Sequence, residues 1–399
     1  MHVPLATPSR AAPCLPDYGG GSIVNLVASL ASALGARDWP VPQLSEPSTA
    51  DLLDGARRIV LLVVDGMGQI QLARAPWRGA LSQHARRTLT SVFPSTTATA
   101  ITSLMTGLPP SQHGLTGWHM HFPEIAAVGA VLPFRTRAPE RPMAALGLNP
   151  AQVFDQRPVF DRLPVPSFAL GPERIVNSEF NRAHTGAAGR IGYRSLEHLF
   201  QALLNCLRNH SGPCFVYAYF ADFDSTAHEH GANSTEALRV LQRFDDALGA
   251  FLTAAAGLDA IVAITADHGF IDSAPERLIS LDDHPALQAM LRLPLCGERR
   301  AAYCYVQPAL GAEFEAYVAD RLAEHFWLFP SQALIEQGWF GPGTPHPKLR
   351  ERVGDYTLVA KDDWTVKDWM PGEKRHRQLG VHGGVSADEM IVPLIVARP

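Results

Sequence analysis

The chain has 399 residues, of which 46% are hydrophobic and 18% charged, with a formal net charge of -5. That balance belongs to a large folded protein and excludes a disordered chain, and the slight acidic excess gives nucleic acid no footing. The longest apolar runs, such as Ile59 to Val64 and Ile391 to Ala397, fall far short of the roughly 20 residues that cross a bilayer, so no membrane span is expected.

The first 20 residues are rich in Pro, Ala and Gly and read as an extended arm. With Arg10 inside it and no continuous apolar stretch, the arm predicts no cleavable secretory signal, and a cytoplasmic protein is expected. Ser22 to Leu34 then carries Ile23, Leu26, Val27, Leu30 and Leu34 at helical spacing. Arg58 to Val64 is β-branched and apolar without alternation, as a central strand covered on both faces should be. It runs straight into Asp65-Gly66. Similar strand patterns recur at Phe215 to Phe220, Ile261 to Thr265 and Ile391 to Val396, with helical stretches such as Thr235 to Ala255 between them. The alternation predicts a single α/β domain over residues 1–399, built on a mixed, mostly parallel sheet with helices on both faces. Residues 118–190, dense in Pro, Arg and Phe, and 275–350, dense in Pro and charge, fit the alternation poorly and read as two inserted segments that cap the sheet's C-terminal edge. Five cysteines, Cys14, Cys206, Cys214, Cys296 and Cys304, form no close-spaced pair and read as buried free thiols.

Five short segments place Asp, His or Thr after a predicted strand or at the start of a predicted helix: Asp65 in VVDGMG, Thr97 in FPSTT, Asp224 and His228 in DFDSTAH, Asp267 and His268 in TADHG, and His382 in VHGG. The carboxyl ends of the strands form the ligand-binding edge of an open α/β sheet, so residues from distant parts of the chain can converge there. Singly, each has an ordinary reading. Asp65 would serve as a helix cap, Asp224 and His228 as a pair on a helix face, Asp267 and His382 as turn residues, and Thr97 as an N-cap. Together they offer three carboxylates, three imidazoles and a hydroxyl.

In this combination the sequence resembles the alkaline phosphatase superfamily, and most closely its type I phosphodiesterase/nucleotide pyrophosphatase branch. The strand end Val64-Asp65-Gly66-Met67, the segment Phe93-Pro94-Ser95 with Thr97 two residues on, the stretch Thr106 to Leu115, the pair Asp224 and His228, Ala266-Asp267-His268-Gly269-Phe270 and the final His382 follow the family order. The resemblance implies an alkaline phosphatase-like three-layer sandwich, two divalent metal ions and Thr97 as nucleophile. One ion would take Asp65, Asp267, His268 and the Thr97 oxygen, the other Asp224, His228 and His382. Nitrogen and carboxylate donors without thiolate suit zinc, with manganese or cobalt fitting the same set. Thr97 precedes the apolar run Ala98 to Met105, which places it at a helix N-terminus, where free N–H groups favour anions.

Two divalent cations set against three aspartates and a threonine alkoxide leave such a centre near neutral, and residues 97–113 contain no Lys or Arg. This favours a phosphodiester or nucleotide pyrophosphate over a dianionic monoester, unless Arg135, Arg137 or Arg141 enters from the inserted segment. Trp118 stands where the diesterase branch has an asparagine donor. It and His119 are therefore expected to bind substrate, Trp118 through its indole N–H or stacking face and His119 as a replacement donor, although Trp118 fits equally as packing between insertion and core. A sulfatase, which needs a Cys or Ser nucleophile, is discounted, and so is a serine-dependent mutase. A phosphonate-carbon hydrolase, a phosphomonoesterase and an inactive metal-binding homologue remain as alternatives on the same framework. The expected partner is a small phosphoric ester or nucleotide; oligomeric state is not legible.

Overall fold

The computed structural model describes residues 12–45, 53, 55 and 57–399, so most of the N-terminal arm, Arg10 included, lies outside the described residues. The first helix, Ile23–Ala33, starts at Ser22, whose hydroxyl and backbone form a reciprocal capping box with Asn25. Its apolar residues from Ile23 to Ala31 are buried, and it packs on the later helix Thr97–Thr106.

A seven-stranded sheet forms the centre, in the order Ala85–Thr90, Ile391–Ala397, Ala260–Thr265, Arg58–Val64, Cys214–Phe220, Ser167–Pro172, Gly189–Tyr193. The last five of these run parallel, whereas Ile391–Ala397 pairs antiparallel with both of its neighbours. The sheet is therefore mixed and mostly parallel. Ile59 to Val64 are buried without interruption because layers of structure cover both faces. The amphipathic helices Leu196–Asn209 and Thr235–Ala254 pack against each other and close one part of that cover.

Register fixes where the strand ends fall. Val64 lies opposite Phe220, and Val63 opposite Thr265, so the chain leaves three adjacent parallel strands at one level. Asp65, Asp224 and Asp267 all follow within a few residues of those exits.

A second seven-stranded sheet, antiparallel throughout, has the order Phe326–Pro330, Tyr356–Ala360, Ala301–Cys304, Cys296–Gly297, His119–Phe122, Ala127–Ala130, Arg135–Thr136. Its strands come from 118–190 and 275–350 and from just beyond the latter, so these two distant stretches meet in one layer. The expected insertion over 118–190 is nevertheless too long, because Ser167–Pro172 and the start of Gly189–Tyr193 within it are strands of the central sheet. The junction is the pairing of Gly297 with His119. This sheet carries its own apolar clusters, around Tyr303 and Phe340 and around Phe314 and Leu358. The five cysteines are free thiols, four of them buried, and no helix among the described residues is long and apolar enough to cross a membrane.

Candidate metal centre

Asp65 stands at the exit of Arg58–Val64 and is 1% exposed. The turn behind it needs Gly66: φ is +75° there, and a Cβ would lie 2.3 Å from the Phe270 ring. Asp267 and His268 follow Ala260–Thr265, and Asp267 Oδ1 accepts the Gly66 and His268 amides, each at 3.0 Å, which locks the two strand exits together. Asp224 and His228 lie one turn apart on the helix Asp222–His230 that follows Cys214–Phe220. His382 follows the two-residue strand Gly380–Val381, which pairs with Ile271–Asp272. Thr97 is the first residue of the helix Thr97–Thr106. All seven residues named from the sequence converge.

The imidazoles are oriented from behind. Nδ1 of His228 meets Gly380 O at 2.8 Å, Nδ1 of His268 meets Gly269 O at 3.0 Å, and Nδ1 of His382 meets Ser95 O at 3.2 Å. A carbonyl oxygen can only accept, so each Nδ1 donates and each Nε2 presents a lone pair to the interior of the site. Nε2 of His228 and Nε2 of His382 face each other at 3.2 Å, an opposition of two lone pairs. Asp224 Oδ1 lies 3.4 Å from the first and 3.7 Å from the second. Nε2 of His268 lies 3.1 Å from Thr97 Oγ1, 3.4 Å from Asp65 Oδ1 and 3.5 Å from Asp267 Oδ2.

Three carboxylate oxygens here, Asp65 Oδ1, Asp224 Oδ1 and Asp267 Oδ2, are buried and accept no hydrogen bond. A buried acceptor left without a donor costs about 1–3 kcal/mol, more when charged. Their clustering in one place is what a site for positive ions would provide. Ligand atoms of Asp65, Asp267 and His268 lie within 4.8 Å of one another, as do those of Asp224, His268 and His382. The donor set therefore fits divalent cations on both sides of His268. Burial, and then the neighbouring carboxylates Asp224 and Asp267, hold the Asp65 pKa well above the usual carboxylate range. Burial also raises that of Asp224. Burial, followed by the charges of His268 and His228, pushes His382 well below the histidine range, which favours the neutral, ligating form.

Trp118 and His119 line a cavity of about 530 Å³ together with Thr97, Asp224 and His382. A second cavity, of about 460 Å³, opens from Thr97, Trp118 and Asp224 toward Ile101, Val176 and Phe180. Burial first, then Arg137 and Lys367, lowers the His119 pKa well below its ordinary value. Of the three arginines that could have entered from the inserted segment, Arg135 and Arg137 reach the first cavity. Arg137 arrives already paired, with Asp368 at 2.8 Å and Glu373 at 2.9 Å. Arg135 is half exposed beside Glu140.

Sequence reasoning missed four neighbours. The Tyr219 hydroxyl donates to Asp65 Oδ2, and the signal was a polar tip inside an otherwise apolar strand, which must find a partner. Glu298 accepts from Thr96 Oγ1 and from the Trp118 amide, each at 2.7 Å, and burial pushes its pKa up to about 7. Arg300 and Glu389 form a bidentate pair, and Glu389 also accepts the Gly384 amide at 2.8 Å, which steadies the turn behind His382. No motif marks Glu298 or Arg300, whereas Glu389 closes a capping box with Ser386, a signal readable in the sequence as S-x-x-E.

With this geometry established, comparison with known proteins decides the family. The type I phosphodiesterase / nucleotide pyrophosphatase model matches residues 59–385. The chain belongs to that family. Among solved structures, murine ectonucleotide pyrophosphatase / phosphodiesterase 5 is similar with a TM-score of 0.64 and 17% identity, over 86% of this chain and 88% of that one. An inactive form of the murine protein in complex with AMP gives 0.62 and 17%, over 85% and 87%. Phosphonoacetate hydrolase from Sinorhizobium meliloti 1021, in complex with phosphonoformate, gives 0.60 and 19%, over 86% and 90%. These likenesses establish the alkaline phosphatase-like fold for this family member. No curated protein matches the sequence. Family membership supports a phosphoester hydrolase.

Proposed function

We propose that the protein hydrolyses phosphodiesters or nucleotide pyrophosphates at a centre of two divalent metal ions, through a phosphothreonine formed on Thr97. The observation that carries this reading is the set of inward-facing acceptors, three imidazole Nε2 atoms and three orphaned carboxylate oxygens, packed beside one hydroxyl. Asp65, Asp267, His268 and the Thr97 oxygen would hold one ion, and Asp224, His228 and His382 the other. Zinc suits these donors best, with manganese or cobalt also compatible. Bound there, the cations would supply the positive charge that makes a threonine oxygen nucleophilic, stabilises the departing oxygen and lowers the pKa of water.

The chain's own residues do the rest. Thr97 Oγ1 is aimed by its contact with His268 and attacks phosphorus in line. Thr97 and Ala98, the first residues of a ten-residue helix, have amides without intrahelical acceptors, and these can bind the equatorial phosphoryl oxygens. The leaving group departs toward Asp224, His228 and His382, and water enters from that side to cleave the phosphothreonine. Trp118 and His119 line the path of the substrate. Arg137, the buried arginine of the first cavity that could have met a dianionic monoester, is instead held by Asp368 and Glu373, which supports preference for the diester.

In this reading the substrate is a small phosphoric ester or nucleotide, and the parts of 118–190 and 275–350 that build the second sheet are inserted segments that wall a single catalytic domain. The four buried free thiols agree with a cytoplasmic location. The test is turnover of bis-p-nitrophenyl phosphate by the zinc-loaded protein. Thr97→Ala should abolish it while zinc content is retained, Thr97→Ser should keep measurable activity, and Thr96→Ala should cost less than about tenfold in kcat/KM. An active Thr97→Ala would rule out the covalent route.

A further inference from the structure

Glu298 occupies an unexpected position for an acidic side chain. It belongs to the second sheet's layer, immediately after the strand Cys296–Gly297, yet its carboxylate reaches the turn that carries the nucleophile. Oε1 takes both of its donors, the Thr96 hydroxyl and the Trp118 amide, each at 2.7 Å. The stem is pressed against the turn after His382. Gly383 has φ +107°, and a Cβ there would lie 2.6 Å from Glu298 Cβ, so only glycine lets the two segments come this close. Glu298 thus sits between Thr96, Trp118 and Gly383, and it lines the same cavity as Thr97 and His382.

Among the described residues, its second oxygen, Oε2, has no hydrogen bond and no cation pairs with the carboxylate within 4.0 Å. Arg299 and His268 act on it only through space. A purely structural tie between Thr96 and Trp118 needs an acceptor, and a neutral amide would provide one. A carboxylate adds a negative charge at the place where a phosphoryl group must bind.

We propose that Glu298 is a specificity-determining residue, whose charge beside Thr97 disfavours a dianionic phosphoryl group relative to a monoanionic diester. The proposal rests on the phosphodiesterase reading above. A monoester is dianionic above its second pKa near 6, whereas a diester carries one charge at every accessible pH. The repulsion therefore falls unequally on the two substrates.

Glu298→Gln separates charge from structure. The Trp118 N–H can only donate, so the glutamine must turn its carbonyl toward it and the Thr96 contact is kept as well. At about pH 8.5, with zinc-loaded protein, the ratio of kcat/KM for p-nitrophenyl phosphate to that for bis-p-nitrophenyl phosphate should rise about tenfold or more in the variant. Titration calorimetry gives an arm that needs no turnover. Inorganic phosphate should bind the variant about tenfold more tightly, while dimethyl phosphate changes less than about threefold. Glu298→Asp, which keeps the charge, should retain the native ratio.

Equal shifts for both charge types, or no shift for either, would overturn the role of Glu298. If native zinc-loaded protein cleaves neither ester, the phosphodiesterase reading fails, and the two binding constants still decide whether Glu298 discriminates by charge.

Discussion

Replacing Arg300 by methionine should unfold the protein more easily and loosen the second metal site at the same time. The guanidinium is buried, donating to Glu389 through Nε at 2.7 Å and Nη2 at 2.9 Å and to Trp364 O at 2.7 Å. The two side chains are 1% and 0% exposed. Methionine fills much of the space but leaves the Glu389 carboxylate buried with only the Gly384 and Ser386 donors. Breaking a buried pair from one side costs about 3–5 kcal/mol, a large part of the ~5–15 kcal/mol that stabilises a typical domain. The consequence reaches His382 through a short path. Glu389 holds the Gly384 amide, Ser95 Oγ donates to Gly384 O at 2.8 Å, and Ser95 O receives the His382 Nδ1 proton at 3.2 Å. Loss of a ligand's direct hydrogen-bond partner, here Ser95 O, typically changes metal affinity about 10–100-fold, so Arg300, acting through further contacts, should cost less than about tenfold. Urea denaturation would measure the first effect, and zinc competition with a chelator the second. A loss below about 1 kcal/mol with unchanged zinc affinity would refute both the strength assigned to the pair and the path to His382. Arg300→Met with Glu389→Leu should recover only part of the loss, since the Gly384 amide would then lack its acceptor.

Elemental analysis after zinc supplementation should give two ions per chain, and His382→Ala should reduce this toward one. A native value of one or none would count against the two-cation reading. Tyr219→Phe removes the hydroxyl donor from Asp65 Oδ2, so zinc affinity at that site should fall about tenfold while the fold persists. Unchanged affinity would mean that Tyr219 does not orient Asp65.

The strands that matter most were legible because they are short, apolar on both faces and closed by abrupt polar residues. Ile59 to Val64 and Ile261 to Thr265 have no alternation to exploit, yet Asp65 and Asp267 stop them cleanly. Ile391 to Val396 reads the same way, but its antiparallel direction is not encoded in an apolar run, because a strand covered on both faces looks alike in either sense. The second sheet was hidden for another reason. Its strands have two to five residues, and His119 meets its partner Gly297 from far along the chain, so no local period announces the pairing. Asp224 and His228 were ambiguous singly and informative only beside the other segments. Glu298 and Arg300 carry no local signal, whereas Glu389 is flagged as the N3 residue of the Ser386 capping box but its pairing with Arg300 is not. Glu298 and Arg300 act through contacts between remote segments, and such contacts become visible only when the chain is folded.

A site built this way should tie stability to both metal and pH. The fold brings three carboxylates into one buried place and gives their inward oxygens no donors, so without a cation their charges oppose folding. Asp65 has its pKa raised in the folded chain, and an acid raised in this way lowers stability as pH climbs from the unfolded carboxylate value near 4 toward the folded value. His382 has its pKa lowered, so its contribution falls away as pH drops through the unfolded value near 6.5. A bound cation needs Asp65 ionised and His382 neutral. Protons therefore compete with it most at acid pH, and the raised Asp65 extends that competition above the ordinary carboxylate range. The stabilisation on adding zinc, read as a rise in Tm, should accordingly grow from about pH 5 to pH 8, reaching about 2.7 kcal/mol per site when free zinc is near 100 times its Kd. Calorimetry at pH 7 in buffers of different ionisation enthalpy should detect protons released on binding. A zinc-induced shift in Tm that is equal at both ends of this range, with no proton release, would mean that Asp65 is not a ligand and that its buried, unpaired oxygen serves some other purpose.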